Sequence, residues 1–320
     1  MDPTRAAIAV VIPCYRVRRQ ILQVLGDIGD EVGAIYVVDD ACPEETGRWV
    51  EQECRDARVR VLRHDRNLGV GGAVISGYRQ AIADGAAVIV KVDGDGQMDP
   101  RLIPRFVRPI LAGEADYTKG NRFFDLEGLR QMPWIRLQGN AALSFITKIA
   151  TGYWEVFDPT NGYTAIHARV AALLPFDRIS RGFYFESEML FRLNTLRAVV
   201  LEIPMAARYG DEVSNLKVGR AVGEFALGSL GSFVKRIFYN YYLRSFSIAS
   251  VNLFLGVVLL AFGVTFGLHQ WRLSSQTGVV ASSGSVMLAS LPIIVGVQLL
   301  LAFLGFDMQS VPRVVLHKRL

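Results

Sequence analysis

The sequence predicts an α/β domain, a mainly parallel sheet flanked by helices, followed by a C-terminal hairpin of two transmembrane helices. Three observations predict it. Short apolar runs alternate with segments of helical spacing through the first part of the chain. Polar groups, most of them carboxylates, stand at the ends of several runs. Two long uncharged stretches lie near the C-terminus.

Residues 8–12 read as a buried strand closed by Pro13, and residues 21–28 are apolar at helical spacing. Residues 35–38 form a second strand ending in Asp39-Asp40. The next helix is expected to start near Pro43, with Glu44 and Glu45 in its first turn, where carboxylates suit the helix dipole. Residues 59–62 make a third strand. Asn67-Leu-Gly-Val-Gly-Gly and a helix to about Ala83 follow, then a fourth strand over residues 86–92. Repeated β-α units imply parallel pairing with helices on both faces. In such a sheet the strand ends near Pro13, Asp39-Asp40 and Asp93–Gln97 share one edge and line one crevice.

Residues 248–268 and 286–306 carry no charge. At about 21 residues each they are long enough to cross a hydrocarbon core. The link between them, residues 269–285, has one charge, Arg272. Lys235, Arg236 and Arg244 precede the first stretch, and Arg313, Lys318 and Arg319 follow the second. The basic flanks place both termini, and with them the α/β domain, in the cytoplasm by the positive-inside rule. A buried hairpin in a soluble protein is the alternative. Composition is 51% hydrophobic, with the excess after Ser245. The net charge of +5, concentrated near the membrane flanks, suits anionic lipid and gives no sign of nucleic-acid binding. Cys14, Cys42 and Cys54 form no Cys-x-x-Cys pair and read as reduced thiols, and the four histidines are scattered. No signal peptide is expected, because the first apolar run is short and ends at Pro13.

Val90-Lys-Val-Asp-Gly-Asp-Gly-Gln-Met-Asp-Pro100 carries the most chemistry. A buried strand that ends in an Asp-x-Asp pair, Asp93 and Asp95, puts hard oxygen ligands at a sheet edge. Such ligands suit Mg²⁺ or Mn²⁺ shared with substrate phosphates. A solvated acidic turn is the plain alternative. Gly69-Val-Gly-Gly fails the dinucleotide fingerprint at Val74 and follows the third strand, not the first. Its glycines are read as letting a helix start close to the sheet.

Ile-Pro-Cys-Tyr at 12–15, Val-Val-Asp-Asp at 37–40, Arg-Asn-Leu-Gly at 66–69 with Gly77-Tyr78, and Asp-Gly-Asp-Gly-Gln-Met-Asp-Pro at 93–100 resemble the inverting family 2 glycosyltransferases. The nearest subgroup is the polyprenyl-phosphate sugar transferases, which include the dolichol-phosphate mannose synthases. The resemblance covers roughly the first 215 residues and implies the GT-A fold. It implies Pro13, Tyr15, Asp40 and Asp93 at the nucleotide, and Asp95 with Gln97 at the metal. Arg122, Arg208 and Lys217 would meet phosphate, and Arg122 alternatively pairs with a surface acid. Asp158, ahead of Asn161-Gly162, would sit by the acceptor. It serves there either as base or as an orienting group, because a phosphate monoester is already mostly anionic at neutral pH. Glu186 would contact the sugar, although Glu186 and Glu188 both read equally as first-turn acids.

The implied organisation is a GT-A catalytic domain over 1–215, interfacial helices over 216–245, two spans over 246–310 and a basic tail over 311–320. Residues 218–242 mix small, aromatic and basic side chains, as a helix at a membrane surface does, or alternatively a core helix. The implied reaction moves a hexose from a UDP- or GDP-sugar to a polyprenyl phosphate, undecaprenyl or dolichyl, with a divalent cation. A processive polysaccharide synthase and a non-catalytic scaffold are the alternatives. Gly256, Gly263 and Gly267 would allow close helix packing in a homo-oligomer.

Overall fold

The computed structural model describes residues 7–124, 134–206 and 218–320, and the side chains of 135–137 and 218–222 are left aside. The described residues form seven strands: β1 Ile8–Cys14, β2 Ala34–Asp39, β3 Val59–Arg63, β4 Val88–Lys91, β5 Tyr117–Asn121, β6 Thr164–His167 and β7 Val200–Pro204. They form one sheet in the order β3-β2-β1-β4-β6-β5-β7. β1, β2, β3 and β4 pair in parallel, as the alternating pattern predicts, and so do β5 and β7. β6 is antiparallel to both β4 and β5. This reversal brings the segment before β6 to the edge where the other strands end.

The helices of this unit are α1 Ile21–Gly26, α2 Thr46–Glu53, α3 Val70–Ala83, α4 Ile103–Leu111, α5 Trp134–Thr151, α6 Ala168–Ala171 and α7 Phe185–Leu196, followed by α8 Val218–Phe238. The central strands are buried on both faces, so they read as continuous apolar runs. Val10, Ile12, Val37, Val90, Ile103 and Phe106 anchor the core, each worth roughly 1.5–3 kcal/mol on burial.

Two local expectations need correction. α2 starts at Thr46, not near Pro43, and Glu45 stands outside it with φ of 50°. The start is held instead by Asp39, whose carboxylate accepts from the amides of Cys42 (2.7 Å) and Gly47 (2.6 Å). The glycines at 69–72 serve a loop rather than the sheet. A Cβ on Gly69 would lie 2.4 Å from the Arg181 carbonyl oxygen, and the Gly71 amide donates to that oxygen at 3.0 Å. Gly77 is the residue that lets α3 lie on the sheet, since a Cβ there would fall 2.3 Å from Val11 Cγ1.

Contacts divide the chain into two units. One runs to Phe233 and includes Pro312–Leu320, and the other is Val234–Val311. In the first unit, the last residues are stitched to buried Asp116. Its carboxylate accepts from the amides of Val199, Leu316 and His317, each at 2.8 Å, and hydrogen-bonds His317 Nδ1 at 2.7 Å. The His317 ring stacks on His167 at 4.1 Å. His167 Nδ1 caps α6 by accepting from the Arg169 amide. Burial, with the neighbouring His317 and Arg169 charges, pushes the His167 pKa down to about 4.

The second unit holds α9 Ile248–Thr277 and α10 Ser283–Gln309. α9 extends past the uncharged stretch, so the link spans only residues 278–282, shorter than the sequence suggests. Polar Gln270, Arg272 and Ser274 continue the helix without breaking it. Both helices are long and apolar enough to cross a membrane, and only 11% of each one's most apolar window is buried. Gly256 and Gly263 are used within the hairpin: a Cβ on Gly256 would lie 3.1 Å from the Gly296 carbonyl oxygen, and one on Gly263 would lie 2.7 Å from that of Ala289. Arg236, read from the sequence as a basic flank, is buried in a fork with Asp307 (2.6 and 3.0 Å). Tyr241 Oη donates to the same carboxylate at 2.6 Å.

Gly77→Ala should cost about 1–3 kcal/mol through overpacking, read as a lower midpoint in denaturant. A second expectation concerns pH. His167 is neutral in the fold at pH values where the unfolded residue charges, near 6.5. The unfolded state therefore binds more protons in this window, and stability falls as pH drops from about 6.5 toward 4. His167→Asn, which keeps a cap acceptor, should flatten that slope in thermal unfolding.

Candidate active site

A cavity of about 970 Å³ opens in the first unit at the edge where the parallel strands end. Its floor includes Pro13, Cys14 and Tyr15 after β1, Asp40 after β2, and Lys91, Asp93, Gly94 and Asp95 at the end of β4. Arg122 follows β5, and Thr160 and Gly162 lie in the segment entering β6. Glu186 projects from the first turn of α7. Val70, Leu143, Ile146, Phe183 and Phe225 make the remaining wall largely apolar. Seven residues expected from the sequence thus line one space: Pro13, Tyr15, Asp40, Asp93, Asp95, Arg122 and Glu186.

The others are placed differently. Asp158 is fully buried behind Arg122. Arg122 Nε donates to Asp158 Oδ2 at 2.8 Å and Nη2 to Oδ1 at 2.9 Å, with its backbone amide on Oδ2 at 3.2 Å. The acid that pairs with Arg122 is therefore a buried one. Gln97 does not line the cavity, and its backbone amide instead donates to Asp95 Oδ1 at 3.0 Å. Arg208 and Lys217 lie outside the described residues. Glu188 is turned into its own surroundings, accepting from the Ser180 amide and from Arg192, which separates it from Glu186.

Asp40 is nearly closed to solvent. Its carboxylate takes the amides of Leu68 and Gly69, both at 2.8 Å, and contacts His64 Nδ1 at 2.7 Å. This holds the loop after β3 against the cavity.

Several residues of the site were not singled out from the sequence. Lys91 is 1% exposed, and its ammonium reaches Asp93 Oδ1 (2.8 Å), Glu186 Oε1 (3.1 Å) and the Gly162 carbonyl (3.2 Å). Burial pushes its pKa down, but the two carboxylates outweigh burial and the net shift is upward. Lys119, fully buried on β5, donates to the Asn161 carbonyl, and burial pushes its pKa down to about 8. Glu202 on β7 accepts from the amides of Phe157 (2.7 Å) and Asp158 (3.0 Å) and from Asn121 Nδ2 (2.6 Å). Burial raises its pKa. A lysine within the apolar run at 86–92 was the visible signal for the first, since a buried ammonium needs partners.

Among the described residues no group of three or more His, Cys, Asp or Glu side chains converges to hold a metal. A cage of protein ligands is therefore not what this site offers. Asp95, on the cavity and braced by the Gln97 amide, offers the one or two carboxylate oxygens that Mg²⁺ or Mn²⁺ uses when phosphates and water complete its shell. The donor set fits that mode.

The chain matches the profile described as glycosyl transferase family 2 over residues 9–173. It is also 30% identical to undecaprenyl-phosphate mannosyltransferase of Micrococcus luteus over 68% of this chain and 90% of that one. The chain belongs to glycosyl transferase family 2. This glycosyltransferase is further similar to UDP-N-acetylglucosamine--dolichyl-phosphate N-acetylglucosaminyltransferase of Methanococcus voltae, at 28% identity over 64% of this chain and 86% of that protein. Its fold is shared with glucosyl-3-phosphoglycerate synthase of Mycobacterium tuberculosis, crystallised with Mn²⁺, UDP and glucosyl-3-phosphoglycerate. The TM-score is 0.54 at 18% identity, covering 72% of this chain and 79% of that one.

The Arg122–Asp158 pair yields a stability test. Arg122→Met leaves a buried carboxylate without its cation and should cost roughly 2–3 kcal/mol, discounted because Arg122 itself is 30% exposed. Arg122→Lys, which keeps the charge but not the fork, should cost less. Chemical denaturation of both variants of the glycosyltransferase checks the order.

Proposed function

We propose that this glycosyltransferase moves a hexose from a nucleotide-sugar to the phosphate of a polyprenyl phosphate, with inversion, at the cytoplasmic face of a membrane. The observation that carries this reading is the composition of this cavity. Its lining combines charged Asp93, Asp95, Arg122 and Glu186 with apolar Leu143, Ile146, Phe183 and Phe225. A charged diphosphate and a phosphate with an apolar tail suit that mixed lining. The acceptors in the printed names of the relatives, undecaprenyl and dolichyl phosphate, support the same choice.

The residues divide the work. Pro13, Tyr15 and the loop held by Asp40 receive the nucleotide, and Asp93 fixes the donor side. Asp95 would hold a divalent cation on the diphosphate, and the Gln97 amide keeps that carboxylate aimed. When bound, the cation neutralises charge that develops on the departing nucleotide diphosphate. Arg122 adds a fixed positive charge at the cavity without needing to move. A phosphate oxygen of the acceptor attacks the anomeric carbon opposite the leaving group. One C–O bond forms as the sugar–diphosphate bond breaks. The acceptor is already mostly dianionic at neutral pH. With both oxygens taken by Arg122, Asp158 orients that arginine and is not the base. Arg208 and Lys217 are further candidates for phosphate contact.

Membrane attachment follows from the exposed apolar surfaces. α9 and α10 serve as the two spans. On α8, Gly228 and Ser232 face Tyr184 of the first unit, while Leu227, Leu230 and Val234 stay exposed at helical spacing. That stripe suits the headgroup boundary. Lys235, Arg244 and Arg313 put both ends of the hairpin on the cytoplasmic side.

The test is transfer of label from a panel of UDP- and GDP-sugars into the lipid phase. Purified protein, Mg²⁺ or Mn²⁺ and a polyprenyl phosphate are supplied. Transfer from one donor is expected, abolished by a chelator and lowered at least about 100-fold in a folded Asp95→Ala variant. Transfer only to water-soluble acceptors would overturn the reading.

A further inference from the structure

Lys91 is the one charged residue of a strand whose burial is otherwise that of a pure core element. The Lys91 ammonium donates to Glu186 Oε1 and to the Gly162 carbonyl, and it forms an ion pair with Asp93 Oδ1 at 2.8 Å that lacks hydrogen-bond alignment. The three partners come from three separate places: the Asp-x-Asp turn after β4, the first turn of α7, and the segment that enters β6. With only 1% of its surface exposed, Lys91 acts through its partners.

The approach of the third partner is enforced by glycine. A Cβ on residue 162 would lie 2.4 Å from Lys91 Nζ and 2.7 Å from Asp93 Oδ2. Lys119 repeats the arrangement one carbonyl earlier, at Asn161. Lys91 and Lys119 are both in register with Thr164, on either side of β6. The two ammoniums therefore hold consecutive carbonyls of one turn from below. Glu186 Oε2 takes no donor from the described residues, and Glu186 lines the cavity.

We propose that Lys91 is a positioning residue for sugar transfer: it locks Asp93, Glu186 and the Gly162 turn into one cluster, which leaves Glu186 Oε2 aimed at a hydroxyl of the donor sugar. The inference rests on the reading of this cavity as the donor site, but not on the identity of the acceptor. It separates two effects of removing the ammonium. Two carboxylates would be left uncompensated beside an anionic diphosphate, which weakens donor binding. The sugar would also lose its fixed partner, which slows the chemical step.

The experiment compares Lys91→Met, Glu186→Gln and the double variant K91M/E186Q with the full-length wild type, after each is shown to be folded by its melting transition. Nucleoside diphosphate binding is measured by calorimetry, with kcat and KM for donor turnover, including hydrolysis without acceptor. Lys91→Met should raise KM and lower kcat about 100-fold, the scale of a misplaced reacting group. The double variant restores the charge balance, so binding and KM should return to within about threefold of wild type while kcat stays about 100-fold down.

Recovery of kcat together with KM in the double variant would make Lys91 purely structural and overturn the proposal. Binding that stays lost in the double variant would mean that Lys91 grips phosphate directly, which also overturns it. Failure of wild type to use polyprenyl phosphate, with donor hydrolysis intact, would refute the acceptor reading and leave the test of Lys91 in place.

Discussion

Charge buried under the cavity floor is the constraint to which the rest of the catalytic unit answers. Lys91, Lys119 and Arg122 face Asp93, Glu186 and Asp158 in a region where several of these groups are almost sealed from water. Isolated, any of them would cost several kcal/mol to bury. Together they balance, and Lys91 and Lys119 each also donate to a carbonyl, those of Gly162 and Asn161. The reversal of β6 is what makes this possible, because it delivers the 157–163 segment to the edge where β4 and β5 end. Glu202 then fixes the same segment from β7. A polar network this connected favours one arrangement of the site, since a half-made version leaves buried charge unpaired.

The first four strands were legible because each is a short apolar run with a polar end, and their edge could be inferred from parallel pairing alone. The acidic site residues were legible for the same reason: Asp40, Asp93 and Asp95 stand where runs stop. β6 was not, because nothing local in Thr-Ala-Ile-His distinguishes a strand running up from one running down. Lys91 sat inside a run read as apolar, and its partners Gly162 and Glu186 lie 71 and 95 residues away. The αL conformation of Glu45 was equally hidden, as two glutamates after a proline match a helix start. Asp158 was found by resemblance, but its pairing with Arg122 through both oxygens, across 36 positions, had no local signal.

The hairpin shows a similar division. Its apolar stretches were plain from composition, and the structure adds how the two helices meet. Gly256, Gly263 and Gly296 bring the backbones together, so these small residues are spent within the chain. The pairing of Arg236 with Asp307 joins residues 71 positions apart. It removes one cation from the flank that composition suggested, and places a fork-shaped ion pair where α10 ends.

The stitch between Asp116 and His317 has a consequence for the order in which the molecule is made. Residues 312–320 belong to the first unit, yet they leave the ribosome after the whole of Val234–Val311. At about 5–20 residues per second, that interval lasts roughly 4 to 16 seconds. During it, the carboxylate of Asp116 has the Val199 amide but not its partners at Leu316 and His317. The catalytic unit is therefore completed only once the hairpin has been synthesised, which ties maturation of the first unit to synthesis of the second.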